Sequence, residues 1–244
     1  MKASDDSAAP SVESLIGELG DAHKTVQRRA IDELVALAGS GNQLVLEKLR
    51  ESITSDDRRV RWAAAYALGQ IGATAFAMDS ADALCEAMAD DDGDIRWAAT
   101  NLMVRLGREN LTEIGARLLR LASGSDRNAR KMALYCIRDL EIAGPELLAV
   151  VGIAVRDPDV HVRLAAVSVL SRIRDASGEA VRIMLECLKS DSDAGVRRAA
   201  ASALGNIHSA SADARAALAS AAADPADESL ARAARGALDR LEKR

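Results

Sequence analysis

A five-residue pattern returns through the chain at a nearly fixed interval. Val60-Arg61-Trp62-Ala63-Ala64 is followed by Ile95-Arg96-Trp97-Ala98-Ala99, Ala129-Arg130-Lys131-Met132-Ala133, Val162-Arg163-Leu164-Ala165-Ala166 and Val196-Arg197-Arg198-Ala199-Ala200, with starts 35, 34, 33 and 34 positions apart. Weaker copies lie 34 residues upstream, at Val26-Gln27-Arg28-Arg29-Ala30, and 34 downstream, at Leu230-Ala231-Arg232-Ala233-Ala234. Seven copies therefore run from about residue 12 to the end. A period of this length marks a small supersecondary unit that cannot bury its own apolar face and must stack on copies of itself.

Each copy reads as two helices. In the second helix of copy two, Val60, Ala63, Ala64, Ala67, Leu68 and Ile71 fall at steps 0, 3, 4, 7, 8 and 11, one apolar face at helical period. Gly72 is expected to stop that helix and Gly107 the equivalent one in copy three. First helices are expected over 44–53, 83–88, 111–121, 146–155, 180–188 and 214–222. Aromatic residues make up only 2% of the chain, so the core must be built from Ala, Leu, Val and Ile. Residues 1–11 are expected to form a flexible tail, with Ser11 as the first N-cap.

The consensus Asp-x-x-Val-Arg-x-Ala-Ala-x-x-x-Leu resembles the HEAT repeat, most of all the short variety of phycobilisome-lyase-like proteins. That resemblance implies an all-α fold, a right-handed α-α superhelix (solenoid) of about seven two-helix repeats, in one domain over 12–244. It also implies that the outward face of the second helices lines the inner, concave side. It says little about activity, because this fold serves scaffolds, lyases and nucleic-acid enzymes alike. Asp57, Asp92, Asp126, Asp159, Asp193 and Asp227 each precede the ladder position by four residues, and Arg61, Arg96, Arg130, Arg163 and Arg197 occupy it. A catalytic group occurs once, whereas these recur in register. They are read as a structural ladder, Asp capping a helix and Arg bonding an Asp of its own or the next copy. The end copies depart from it, with His23 and Gln27 in copy one and Ala231 in copy seven.

Helical geometry also picks out side chains that should face away from the core. Trp62 lies two steps after Val60, roughly 200° around the wheel. Three such columns run through the second helices: Arg28, Trp62, Trp97, Lys131, Leu164, Arg198, Arg232; then Asp32, Tyr66, Asn101, Tyr135, Ser168, Ser202, Gly236; then Ala36, Gln70, Arg105, Asp139, Arg172, Asn206, Arg240. Four of the chain's five aromatics fall here, and seven cations stand against two anions in a chain of net charge -5. Exposed aromatics beside arginine have the composition of a binding hot spot. Trp62, Tyr66, Trp97 and Tyr135 are the expected floor of a partner-binding site, with Asn101 among its residues and Arg105 and Lys131 supplying charge. The competing reading lays both tryptophans flat in the groove between repeats.

Catalytic chemistry finds no footing. His23, His161 and His208 belong to different repeats and none precedes a Glu. The iron-binding His-Glu pairs of deoxyhypusine-hydroxylating proteins of this architecture are thus missing, and no metal or cofactor is expected. No P-loop, GxSxG or strand-associated GxGxxG occurs. Cys85, Cys136 and Cys187 have neither CxxC spacing nor a neighbouring His, and Cys136 is expected on the core side of its helix. The run Asp90-Asp91-Asp92-Gly93-Asp94 lacks the closing Glu of an EF-hand and reads as a helix-capping turn. No apolar run would span a membrane, the thiols suit a cytoplasmic setting, and the net charge disfavours nucleic acid. The expectation is a non-catalytic scaffold that holds a segment or helix of a partner protein in its groove. The resemblance adds two alternatives: bilin handling, as part of a heterodimer, and a HEAT-like nucleic-acid binder.

Overall fold

The computed structural model describes residues 10–72, 80–173, 178–207 and 211–243. Among them lie fourteen α-helices and no strand, in seven consecutive pairs. The pairs are α1 (Val12–Glu18) and α2 (Lys24–Gly39), α3 (Gln43–Ser52) and α4 (Arg58–Ile71), α5 (Ser80–Ala87) and α6 (Gly93–Glu109), and α7 (Leu111–Leu121) and α8 (Arg127–Asp139). They continue with α9 (Pro145–Ala154) and α10 (Val160–Leu170), α11 (Gly178–Ser190) and α12 (Ala194–Leu204), and α13 (Ala212–Ala222) and α14 (Glu228–Glu242). Expected and observed first helices agree closely, and α7 matches residue for residue. The tail expected before residue 12 falls mostly on residues 1–9, outside the described residues, as does His208. Ser11 does cap α1, its hydroxyl accepting from the Ser14 N–H at 3.1 Å.

The chain divides into two compact units, Met1–Leu106 and Gly107–Arg244. In the first, α2 packs on α4 while α1 and α3 form the other layer. In the second, α8, α10, α12 and α14 pack each on the next, and α7, α9, α11 and α13 do likewise. Each unit thus stacks helical pairs through a shared apolar seam. Fully buried leucines such as Leu34, Leu68, Leu118 and Leu204 fill it, with alanines between them. Each such leucine contributes about 1.5–3 kcal/mol of burial, and the alanines let backbones approach.

Gly72 ends α4 as expected, at a φ of 136° that other residues rarely adopt. Gly107 does not end α6, which continues to Glu109. Its role is packing: a Cβ there would lie 2.5 Å from a Leu140 methyl and 3.1 Å from Ile114 Cγ2. Gly205 is less forgiving, because its Cβ would meet both Cα and Cβ of Ala237 at 2.7 Å, and a backbone atom cannot turn aside as a leucine methyl can. Gly205→Ala should therefore destabilise by about 1–3 kcal/mol. Gly39→Ala, with nothing within 4 Å of the new methyl, should stabilise by about 0.4–1 kcal/mol. Urea midpoints of the two variants should move in opposite directions.

The ladder aspartates cap helices as expected. Asp57 accepts from Arg59 N–H, Asp92 from Asp94, Asp126 from Ala129, Asp159 from His161 and Val162, Asp193 from Val196, and Asp227 from Leu230. The Asp90–Asp94 run is accordingly a capping turn, with Asp90 accepting from the Asp92 N–H. Burial opposes ionisation of Asp159, yet the two N–H groups it receives hold its carboxyl below the usual carboxylate range.

The ladder arginines have a more specific partner than the sequence indicated. Each turns one guanidinium nitrogen back onto carbonyls of its own turn: Arg61 on Ser55 and Asp56, Arg96 on Asp90, Arg130 on Gly124 and Ser125, Arg163 on Asp157 and Pro158, Arg197 on Asp191 and Ser192. The remaining nitrogens of four of them reach an acid in the following copy. Arg130 grips Asp157 at 2.7 and 3.0 Å, and Arg163 grips Asp191 at 2.9 and 3.1 Å. These acceptors are not the caps; they stand two residues earlier, where each also accepts the N–H of the capping aspartate. Arg61 uses Glu86 instead, and Arg197 reaches the cap Asp227 itself at 3.3 Å. In copy one, Gln27 does the carbonyl-binding half of the job, donating to Leu19 O at 2.7 Å.

Candidate functional site

The residues expected to form a binding floor divide between the units. Trp62, Tyr66, Trp97, Asn101 and Arg105 belong to the first, Lys131 and Tyr135 to the second. Most of the three surface columns are exposed or half-buried, so the outward face of the second helices is open as the periodicity indicated. Asn101 and Arg105 are exposed along α6 in line with Trp97, which keeps 50% of its surface accessible. Lys131 and Tyr135 are half-buried on α8, and the Arg138 guanidinium lies 5.0 Å from the centre of the Tyr135 ring.

Trp62 departs from expectation. Only 8% of it is accessible, and it packs against Tyr66 with ring centroids 5.1 Å apart and planes tilted by 45°. A helix wheel treats α4 as a rod with one buried side, but α4 lies in a row of helices. Its buried set, Trp62, Ala63, Ala64, Ala65, Ala67, Leu68 and Gly69, wraps well beyond one stripe. A side chain pointing away from the first-helix layer then folds into the groove beside a neighbouring second helix. For Trp62 the groove-filling reading describes the structure; for the half-exposed Trp97 it does not.

Trp62 and Tyr66 border a cleft of about 180 Å³ that lies wholly within the first unit. One wall is α2, with Lys24, Gln27, Arg28, Ile31 and Asp32; the other is the start of α6, with Asp94, Ile95 and Ala98. Lys24 is ion-paired with Asp92. That pair raises the lysine pKa, with Asp94 adding to it from further away. No sequence signal marked this cleft, because its walls come from three successive copies and depend on their offset.

Burial pushes the Cys187 thiol up to about 11, leaving it a poor nucleophile. Cys136 is buried on the core side of α8, as expected, and Cys85 is half-buried. His23 and His161 are exposed at the starts of α2 and α10. Among the described residues, no group of three or more His, Cys, Asp or Glu is placed to hold a metal, and no helix is long and apolar enough to cross a membrane.

The fold is shared with several solved structures. A HEAT-like repeats protein from the archaeon Thermococcus onnurineus NA1 superposes with a TM-score of 0.58 at 15% identity, over 96% of this chain and 98% of that one. Importin beta gives a TM-score of 0.61 at 18% identity, over 96% of this chain and 35% of its own. Kap95p, which binds RanGDP, gives 0.62 at 14% identity, over 97% of this chain and 36% of its own. At such identities the likeness concerns the fold alone. No curated protein matches the sequence. The family profile of HEAT repeats matches residues 12–103 and 115–205, most of the chain. With the repeat period, the paired helices and the capping ladder, this match makes the chain a member of the HEAT-repeat family.

Proposed function

We propose that the chain is a non-catalytic protein-interaction scaffold that captures a segment or helix of a partner protein on the outward face of its second helices. The observation that carries this reading is Trp97. Half of a tryptophan is left in solvent on a helix where it lies in line with the exposed Asn101 and Arg105. Tryptophan and arginine dominate the energetics of protein interfaces. Lys131 and Tyr135 offer a patch of similar composition on the second unit. Kap95p and importin beta, which share the fold, support the reading by analogy, since the former binds another protein, RanGDP.

Bilin handling draws less support. The cleft beside Trp62, at about 180 Å³, falls below the ~300–1,000 Å³ of pockets that bury a drug-sized ligand, and a linear tetrapyrrole is larger still.

The test pairs the full chain with its Trp97→Ala/Arg105→Ala variant as bait in a native lysate, with bound protein, nucleic acid and pigment identified together. A protein retained by the parent and lost by the variant is the expected result. The variant should keep its thermal midpoint, since surface substitutions usually cost less than about 0.5 kcal/mol each. Equal capture by both would place the binding surface on another face, and recovery of pigment alone would favour the bilin reading.

A further inference from the structure

The two units differ in charge. Residues 1–106 hold 11 Lys and Arg against 18 Asp and Glu, a net of -7, while residues 107–244 hold 21 against 19, a net of +2. In the second unit the positive charge gathers on the outward columns of the second helices. There Lys131, Arg172, Arg198, Arg232 and Arg240 stand against one acid, Asp139, which Arg138 bonds at 2.7 Å. Widening the face does not cancel this excess. Positions seven after the first column add Arg138 and Asp239, and positions four before it add Arg127 and Glu228, each pair of opposite sign. The capping aspartates lie at the helix starts, compensated by N–H groups and by the helix dipole.

The arginines of this face are open to further carboxylates. Arg232 comes no nearer than 3.9 Å to Glu228, with 77% of its side chain in solvent, and Glu228 is held at 2.9 Å by Arg235. Arg198 lies near Asp227, but that carboxylate already takes Arg197 and the Leu230 N–H. Arg172 is exposed just past the end of α10, and among the described residues no ion pair engages it or Arg240. Arg240 is also set in place. It donates to Ser202 O of α12 at 3.2 Å, beside Gly205 and Gly236, where added Cβ atoms would come within 2.9 and 3.6 Å of its guanidinium. A guanidinium already laid across two helices loses little freedom on meeting a carboxylate.

We infer that the outward face of α8, α10, α12 and α14 receives an acidic polypeptide segment, its Asp and Glu side chains meeting Arg172, Arg198, Arg232 and Arg240. Charge complementarity of this kind sets specificity and approach more than raw affinity. A nucleic acid fits less well. The net charge of the first unit opposes a phosphate backbone, and residues 107–244 hold one aromatic for stacking, Tyr135. The inference rests on the scaffold reading and specifies the chemistry of its partner. It concerns the second unit, whereas Trp97 belongs to the first, so the two ideas fail separately.

The test titrates the full chain into a fluorescein-labelled decapeptide of alternating Glu and Ala, read by anisotropy at low salt. Saturable binding is expected, weakened about fivefold by Arg198→Gln with Arg232→Gln. Arg120→Gln with Arg215→Gln removes the same charge from α7 and α13, where both side chains are exposed, and should change affinity less than about twofold. Should the first variant lose its fold, Arg232→Gln alone carries the test, with a loss of about twofold. Equal losses in the two double variants would reduce the effect to bulk charge and overturn the inference. So would the absence of saturable binding, or tighter binding of a decathymidylate, which would make the face a nucleic-acid surface. A chain that captures protein through Trp97 but ignores the acidic peptide would refute this inference and leave the scaffold reading standing.

Discussion

Trp62→Ala is expected to lower the unfolding free energy by about 3–5 kcal/mol, while Trp97→Ala costs less than about 0.5 kcal/mol. The two tryptophans occupy the same position of the repeat and look interchangeable in sequence, so the contrast is a demanding test. Trp62 is 8% accessible and Trp97 is 50% accessible. A buried indole removes roughly 150–250 Å² from water, and truncation to a methyl leaves a cavity between α4 and its neighbours. The ring contact with Tyr66, at 5.1 Å between centroids, would be lost as well. Chemical denaturation followed by circular dichroism gives the answer through the midpoint, provided the slope is unchanged. Should Trp97→Ala prove the costlier change, the exposed aromatic would be structural and the scaffold reading would lose its main support.

Asp157→Ala should be comparably damaging, by about 3–5 kcal/mol. Its carboxylate receives Nε of Arg130 at 2.7 Å, a second guanidinium nitrogen at 3.0 Å, and the N–H of Asp159 at 2.9 Å. Accessibility is 15% for the arginine side chain and 7% for the aspartate side chain. Removing the acid strands a nearly buried guanidinium and releases the turn before α10. The pair Arg156–Glu186 is a built-in control, because its side chains are 54% and 40% accessible. Glu186→Ala should therefore cost no more than about 1 kcal/mol. If Arg130→Met joined to Asp157→Leu recovers much of the loss, the penalty lies in the stranded charge and not in the missing attraction.

The contrast between these two sites shows what the sequence could and could not carry. The repeat period, the helical pairs and the capping aspartates were legible because each is a property of one copy, and α7 was placed at its observed bounds. The burial of Trp62 was not legible, because a single-helix wheel has no neighbours in it, and the groove that takes the ring exists only once copies are stacked. Gly107 was read as a helix stop for the same reason: glycine breaks an isolated helix, but here it makes room for Leu140. An Asp of their own or the next copy was expected for the ladder arginines, but Asp157 and Asp191 were not told apart from the capping aspartates, although a signal was present. Asp90-x-Asp92, Asp157-x-Asp159 and Asp191-x-Asp193 recur in phase with the repeat, and the first aspartate of each pair was free to take another role. The cleft had no comparable signature, since its lining residues are spread over 24–98 and share no motif.

The arginine column also bears on how such a chain changes length. Asp157 takes Arg130 through its carboxylate and Arg163 through its carbonyl, and Asp191 does the same for Arg163 and Arg197. Every junction in this part of the chain thus presents a donor to the next copy and an acceptor to the previous one. A duplicated copy inserted in phase would meet matching chemistry at both ends, so gain or loss of whole repeats need not rewrite their neighbours. Asp227 accepts the arginine of copy six, and copy seven carries Ala231 at the ladder position. Duplication within the interior is therefore chemically open.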